Sequence, residues 1–408
     1  MVRPHVSYFW NVQEETGRVP TIEKFKCSVG SRKIYFKKDG NLRMPGEVLK
    51  NPDMGRTYRR IAENGVEDFY SGAIAEEMVA DIQGNDGLIS MEDLAEAKPM
   101  ENEPIWGKYR GYNVATNPPP GGGVMVLEML NILENFDLRA LGHNSAGYIA
   151  VVSEAMKIAT VDKDLHVGDP RFVDVPLAHL LSAEYCDAQR GRITPEQAMV
   201  EDAAAAQPGE PAPPGDTSYV AVIDKYGNAF SATPSDVSND TPVIPGTGLC
   251  PSSRGSQSWA NPEHASSVAP GKRPRLTPNP ALAIRKGKFV MPFGTPGGDV
   301  QSQAMLQALL NMVLFDMNPQ AAVEAPRFAT YDFPNSFEPH SAYPGRLSIE
   351  GRFPEATVRA LTARGHEMYV WPDWTYLAGA VCAVYQDIEQ GTLTGAADPR
   401  RQGYAAGW

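Results

Sequence analysis

Two stretches constrain this chain more than any others: "PPPGGGVMVLEMLNILENF" from Pro118 and "GTPGGDVQSQAMLQALLNMVLFDMN" from Gly294. Each is a proline-glycine elbow that opens onto a strongly apolar helical segment. Val124 to Phe136 is apolar around most of its circumference, so that helix has to be covered on more than one side. A chain of 408 residues, 42% hydrophobic and 21% charged, can bury such a core, either as one large domain or as two or three smaller ones. An elbow at a helix N-terminus can hold an anion. The same glycines also permit plain close packing, and local sequence leaves both readings open.

Several function classes are disfavoured at once. The formal charge is -12, and Lys and Arg are scattered with no basic stripe, so nucleic acid is not expected as a partner. The four cysteines, Cys27, Cys186, Cys250 and Cys382, are far apart and form no C-x-x-C pair, which argues against a zinc site and a disulfide framework. There is no H-E-x-x-H, G-x-S-x-G, phosphate-loop or dinucleotide motif, so no metal or cofactor is called for. The N-terminal "MVRPHVSYFWNVQEETGRVP" lacks the apolar core of a secretory signal, and no apolar run reaches membrane-spanning length. On condition that Met1 is the true start, the chain reads as soluble and cytoplasmic, with no membrane partner.

Residues 1 to 55 are weakly patterned, with one strand candidate in "RKIYFKKDG". Helical spacing follows in "MGRTYRRIAENG", "GAIAEEMVADIQGNDG" and "SMEDLAEAK", the last with Ser90 as its cap. "GKYRGYNVATN" reads as a strand, residues 145 to 164 as a helix, and residues 176 to 190 as another. The composition breaks at "EDAAAAQPGEPAPPGD", residues 201 to 216, which reads as an exposed linker. Beyond it, Tyr219 to Ile223 is an apolar, β-branched run and residues 224 to 228 form a turn, predicting a hairpin.

The linker ends in Asp216-Thr217, at the entrance to that hairpin. A threonine hydroxyl is a weak nucleophile unless a base sits beside it, and its own α-amine is one economical base. That amine exists only if the chain is cut before Thr217. An exposed linker lets the Thr217 hydroxyl reach the Asp216 carbonyl; an N-to-O shift gives an ester, and water releases a new N-terminus. Attack of the freed threonine on an amide then builds an oxyanion, for which the N-H groups of Gly297 and Gly298 are candidate donors. The competing reading of Asp216-Thr217 is a loop entering a strand, and of "TPGG" a tight turn.

Taken together, "FYSGAIAEEMVADIQGNDGLISMEDLAEAKP", "YRGYNVATNPPPGGGVMVLEMLNILENFDL", "DTSYVAVIDKYGNAFSAT", "PGKRPRLTPNPAL", "GTPGGDVQSQAMLQALLNMVLFDMNPQAAVEAPRF" and "GAADPR" resemble successive blocks of the gamma-glutamyltranspeptidase family. The resemblance runs from about residue 40 to the end. It implies an α+β, four-layer αββα N-terminal-nucleophile hydrolase fold, with a mainly helical, large-subunit-like segment 1–216 and a small-subunit-like segment 217–408. It also implies a threonine-nucleophile enzyme that cleaves γ-glutamyl amides of the glutathione type after cutting itself between Asp216 and Thr217. Thr217 falls on the family's nucleophile, Ser235 on a second hydroxyl that hydrogen-bonds it, and Gly297-Gly298 on the oxyanion glycines. Thr277 and Ser218 fall on hydroxyl positions of the substrate site, while Leu276 replaces a further one.

The departures are specific. Val237 stands where better-known members have a substrate-contacting Asn, and "LCPSSRGSQSW" replaces a stretch containing the Asp that holds the acceptor's amino group. Arg254-Gly255 is similar to a hydrolase-like bacterial branch, with Arg254 placed to repel an acceptor ammonium and attract a carboxylate. Hydrolysis is therefore expected over transfer. Residues 1 to 55 resemble nothing in the family's long N-terminal section, so an incomplete fold is one expectation. A second chain that supplies central strands, or a degenerate, non-catalytic member, is the alternative reading.

Overall fold

The computed structural model describes residues 1–11, 21–199, 217–236 and 241–408. The linker 201–216, Asp216 and Val237 lie outside the described residues. The chain forms two compact units, Met1–Glu101 with Asp236–Ser253, and Asn102–Ser235 with Arg254–Trp408.

The first unit is helical where it is regular. "RKIYFKKDG" is not a strand: its first residues end the helix Val29–Tyr35, and only Phe36 makes an isolated bridge, to Leu42. The helix forms because the Ser28 side chain caps the Ser31 N-H, and because Tyr35 stacks on Phe25 at 3.9 Å beside a buried Ile34. The expected helices are present as Pro52–Asn64, Ala73–Gly84 and Met91–Glu96, the last with a capping box between Ser90 and Asp93. Residues 241–249 are tied into this unit by Thr57, whose hydroxyl donates to the Thr247 carbonyl at 2.7 Å.

In the second unit "GKYRGYNVATN" is a hairpin rather than one strand. β1 (Ile105–Tyr109) and β2 (Tyr112–Thr116) turn at Arg110 and Gly111, with φ of 49° and 84°. Both turn residues are left-handed, as a tight two-residue hairpin turn requires. The predicted hairpin after Thr217 is β3 (Val220–Ile223) and β4 (Ala229–Ala232), closed by Asp224, which accepts from the N-H groups of Tyr226 and Asn228. β5 (Ala281–Arg285) and β6 (Phe289–Gly294) are followed by a separate three-stranded sheet of β7 (Phe328–Thr330), β8 (Arg346–Glu350) and β9 (Glu367–Trp371). β10 (Cys382–Asp387) and β11 (Thr392–Ala397) complete a six-stranded antiparallel sheet in the order β1-β2-β5-β6-β10-β11.

This large sheet is covered on both faces. Gly107, Val114, Ala283 and Met291 are register partners across it, and a side chain at Gly107 would run into Leu127 of the helix Gly123–Leu133. That helix packs on Ala146–His166 and Val300–Phe315, and all but one of its residues are buried, so the all-round apolar segment is enclosed as expected. Gly294 lies three residues beyond Met291 and therefore faces the other way. There the Tyr219 ring occupies the space a side chain would need, and the β3–β4 hairpin packs against β6 and β10. Helices, a sheet and a second sheet are thus stacked in that order within this unit.

One buried group makes the fold acid-sensitive. His366, on the turn into β9, is 3% exposed, and neither ring nitrogen has a hydrogen-bond partner among the described residues, Glu154 Oε1 standing 3.8 Å from Nε2. Burial, reinforced by Lys157 and Arg364, pushes its pKa down to about 4. Its unfolded value lies near 6.5, so its neutral form stabilises the fold fully above that pH, and the contribution is lost as pH falls from 6.5 towards 4. The loss is on the order of 3 kcal/mol. Urea midpoints at pH 7 and 4.5 are expected to differ less in His366→Phe than in the parent; equal pH dependence would contradict this.

Candidate active site

The candidate site is built where β3 begins. The Ser218 N-H donates to the Pro234 carbonyl at 2.9 Å, extending the β3–β4 ladder by one step and setting Thr217 beside Ser235. The two hydroxyl oxygens are 2.7 Å apart, and Thr217 is buried. Ser235 in turn accepts a hydrogen bond from the Arg254 guanidinium, whose other terminal nitrogen donates to Gln257 at 2.6 Å. The Phe337 ring lies 5.8 Å below that guanidinium. A hydroxyl that accepts from a cation is a better donor in the other direction, so Ser235 is suited to stabilise negative charge on the Thr217 oxygen.

The stretch that carries Arg254 is held from its far end. Trp259 is sandwiched between His264 and His340, with ring centroids 4.1 and 3.9 Å away. The Glu338 N-H reaches the Ser256 carbonyl at 2.8 Å. This makes the short helical turn Arg254–Gln257 a fixed feature facing Ser235.

The glycine elbow follows β6. Gly297 and Gly298 are buried with φ of 143° and 56°, conformations that side-chain-bearing residues rarely adopt. Their carbonyls accept from Val300 and Gln301 and so start the helix Val300–Phe315, while neither glycine N-H donates to any group among the described residues. Two buried N-H groups at the start of a sixteen-residue helix, without partners among the described residues, are the kind of donors that developing negative charge requires. Tyr219, two residues after Thr217, packs its ring on Gly294, three residues before Gly297, and joins the two parts.

Asp299, next in the chain, is clamped. It accepts from Lys163 Nζ at 2.5 Å, from Ser336 Oγ at 2.6 Å and from the Ser336 N-H at 2.7 Å. Burial alone would push the Asp299 carboxyl up, but Lys163 and Ser336 outweigh it and hold the carboxyl below the usual carboxylate range. Burial pushes the Lys163 ammonium down.

The remaining candidates separate. Thr277 is buried, and its hydroxyl has no partner among the described residues. It lies against the first elbow, where a side chain at Gly122 would come within 2.9 Å of the Thr277 carbonyl. The Ser218 side chain is exposed, and the ladder position of its N-H is what the structure gives it. Asp216, one side of the expected cut, is outside the described residues. Among the described residues no cluster of three or more His, Cys, Asp or Glu is placed to hold a metal, and no helix is long and apolar enough to cross a membrane. Asp299 and Lys163 escape a reading of the sequence alone. A Gly-Gly-Asp run signals only a turn, and nothing local marks a lysine 136 residues upstream as its partner.

The sequence profile of the family described as Gamma-glutamyltranspeptidase matches residues 2–408, so the likeness takes in residues 2 to 55, where none was expected. The chain belongs to the gamma-glutamyltranspeptidase family. This family member is 36% identical over 328 residues to the glutathione hydrolase proenzyme of Pseudomonas sp. (strain A14), covering 77% of this chain and 56% of that protein. It is also 36% identical over 362 residues to the Acylase ACY 1 proenzyme of Pseudomonas sp. (strain SE83), covering 88% of this chain and 61% of the relative. The chain thus spans less than two thirds of the length of either. The crystal structure of cephalosporin acylase from Bacillus halodurans superposes with a TM-score of 0.82 at 30% identity, covering all of this chain and 71% of that one. The α+β stack of helices and sheets is the N-terminal-nucleophile hydrolase fold of these gamma-glutamyltranspeptidase relatives.

Proposed function

We propose that this family member is a threonine-nucleophile amidase that cuts itself between Asp216 and Thr217 and then hydrolyses γ-glutamyl amides. The observation that carries the reading is the line of hydrogen bonds from Thr217 through Ser235 to Arg254. After the cut, the Thr217 α-amine takes the hydroxyl proton while the oxygen attacks the amide carbonyl. The Gly297 and Gly298 amides receive the oxyanion, the amine product leaves with the proton, and water resolves the ester. Relatives named glutathione hydrolase and acylase proenzyme are consistent with an amide-cleaving, self-processing chain.

Water is the expected acceptor. Arg254 is engaged by Ser235 and Gln257, so the stretch 249–259 contributes a cation beside the nucleophile and no carboxylate to hold an incoming amine. An amine gains over water only if it is positioned, and positioning is worth several kcal/mol. Release of aniline from a γ-glutamyl anilide should therefore rise by no more than about twofold on adding glycylglycine, with free glutamate formed throughout. Strong acceptor stimulation with little glutamate would refute the preference for water, and no turnover by the purified chain would refute the amidase reading.

A second reading is a chain that needs a partner, and one observation favours it. Val220, Val222 and Phe230 on the outer face of the β3–β4 hairpin are 43%, 46% and 58% exposed. A contiguous apolar sheet face of this kind is ordinarily covered.

A further inference from the structure

We propose that Asp299 and Lys163 are a positioning pair for the Gly297-Gly298 elbow, fixing its backbone and cancelling the charge that Asp299 places beside a forming oxyanion. The activity part of this inference rests on the amidase reading above.

The elbow is clamped at both ends. On one side Thr295 Oγ1 accepts from the Ala380 N-H at 2.7 Å and donates to the Pro296 carbonyl at 2.7 Å, with Gly379 Cα 3.5 Å from where a Gly297 Cβ would stand. On the other side Asp299 is bonded directly to Gly298, and its carboxylate takes three donors from two distant elements. Lys163 comes from the last turn of the helix Ala146–His166, and Ser336 from the loop after β7; the two also bond each other at 2.9 Å. Two successive glycines have the most backbone freedom to lose, so their conformation has to be imposed by such anchors.

Asp299 and Lys163 have side chains each 3% exposed, where charges are weakly screened. An oxyanion received by the glycine amides would be one residue from Asp299, and an unneutralised carboxylate there would oppose it. The Lys163 ammonium makes the pair neutral. A neutral amide could satisfy Ser336 as well, and a buried ion pair is a poor source of net stability, so the pair is better accounted for by what it positions.

The test uses Lys163→Met, Asp299→Asn and the double variant. Lys163→Met leaves a lone buried carboxylate beside the elbow and is expected to lower kcat on a γ-glutamyl anilide by about a hundredfold, with KM within about twofold. The double variant, with no charge and with Asn still accepting from Ser336, is expected to regain at least about tenfold of that loss. A merely structural pair would shift the melting midpoint but leave kcat per folded, titrated site unchanged. Amide exchange of the Gly297–Ser302 peptide gives a second measure, and Lys163→Met should exchange faster than the parent. Unchanged kcat per site, no recovery in the double variant, or unchanged exchange would each overturn the proposal. If the parent turns over no anilide, the amidase reading falls and the pair is judged on exchange alone.

Discussion

Thr217→Ala should run as a single full-length chain after prolonged incubation, while the parent separates into fragments ending at Asp216 and beginning at Thr217. Its turnover of a γ-glutamyl anilide should fall by at least about a thousandfold, the scale on which covalent catalysis is lost with its nucleophile. The change removes the side-chain hydroxyl and its neighbouring methyl and leaves the rest of the site standing. Ser235 keeps its hydrogen bond from Arg254, the Ser218 N-H keeps the Pro234 carbonyl, and Tyr219 keeps its seat on Gly294. The hydroxyl pair that disappears is worth about 1 kcal/mol, so the variant stays folded and the result reports chemistry. Thr217→Ser, which restores a hydroxyl in the same place, should recover part of the processing. A Thr217→Ala protein that still splits at this bond would show that the cut is made by another group or another enzyme, and the reading of Thr217 as nucleophile would fall with it.

How much of this site the sequence discloses depends on how local each signal is. The hairpin after Thr217 is legible because Asp224 to Asn228 is turn chemistry that follows an apolar, β-branched run, and the two elbows are legible because Pro and Gly punctuate just before long apolar runs. Thr217, Ser235 and the glycine pair follow from family blocks of that kind. The helices of residues 1 to 35 are not legible: they depend on Trp10, Phe25 and Tyr35 meeting in one small aromatic cluster, with weak periodicity in any single segment. The turn at Arg110-Gly111 is missed because a left-handed arginine is uncommon, although Gly111 is the cue. Arg254 is read from the sequence as a substrate-site residue, and its bond to Ser235, nineteen residues away in the chain, is what only the structure gives. Lys163 and Asp299 are further apart still. Pairings between distant side chains leave no spacing to read, and this site's charges are arranged almost wholly by such pairings.

The largest expected stability effect lies at the "APRF" and "GAADPR" blocks. Arg327 and Arg400 are both buried, and the Asp398 carboxylate lies between them, bonded to Arg327 and to Arg400 Nη1 at 3.1 Å. Glu350 on β8 takes Arg400 from the other side, at 2.7 Å through both Nε and Nη2. Asp398 also accepts from the Val381 N-H at 3.1 Å, just before β10 begins, so one carboxylate joins β11, β10 and the segment before β7. Burial, and Arg400 beside it, push the Arg327 pKa down. Asp398→Ala leaves two buried guanidinium groups facing each other with one anion lost. Breaking a buried pair by removing one partner costs about 3–5 kcal/mol, because the remaining charge is uncompensated. Arg359→Ala, which removes a pair with Glu355 on the exposed face of the helix Glu355–Ala363, is the control and should leave the urea midpoint unchanged. Replacing Asp398 with Asn should fall between the two, since the amide oxygen still accepts while its charge is gone. A midpoint in Asp398→Ala equal to that of the control would show that Glu350 alone neutralises both arginines and that the fold does not need the Asp398 carboxylate.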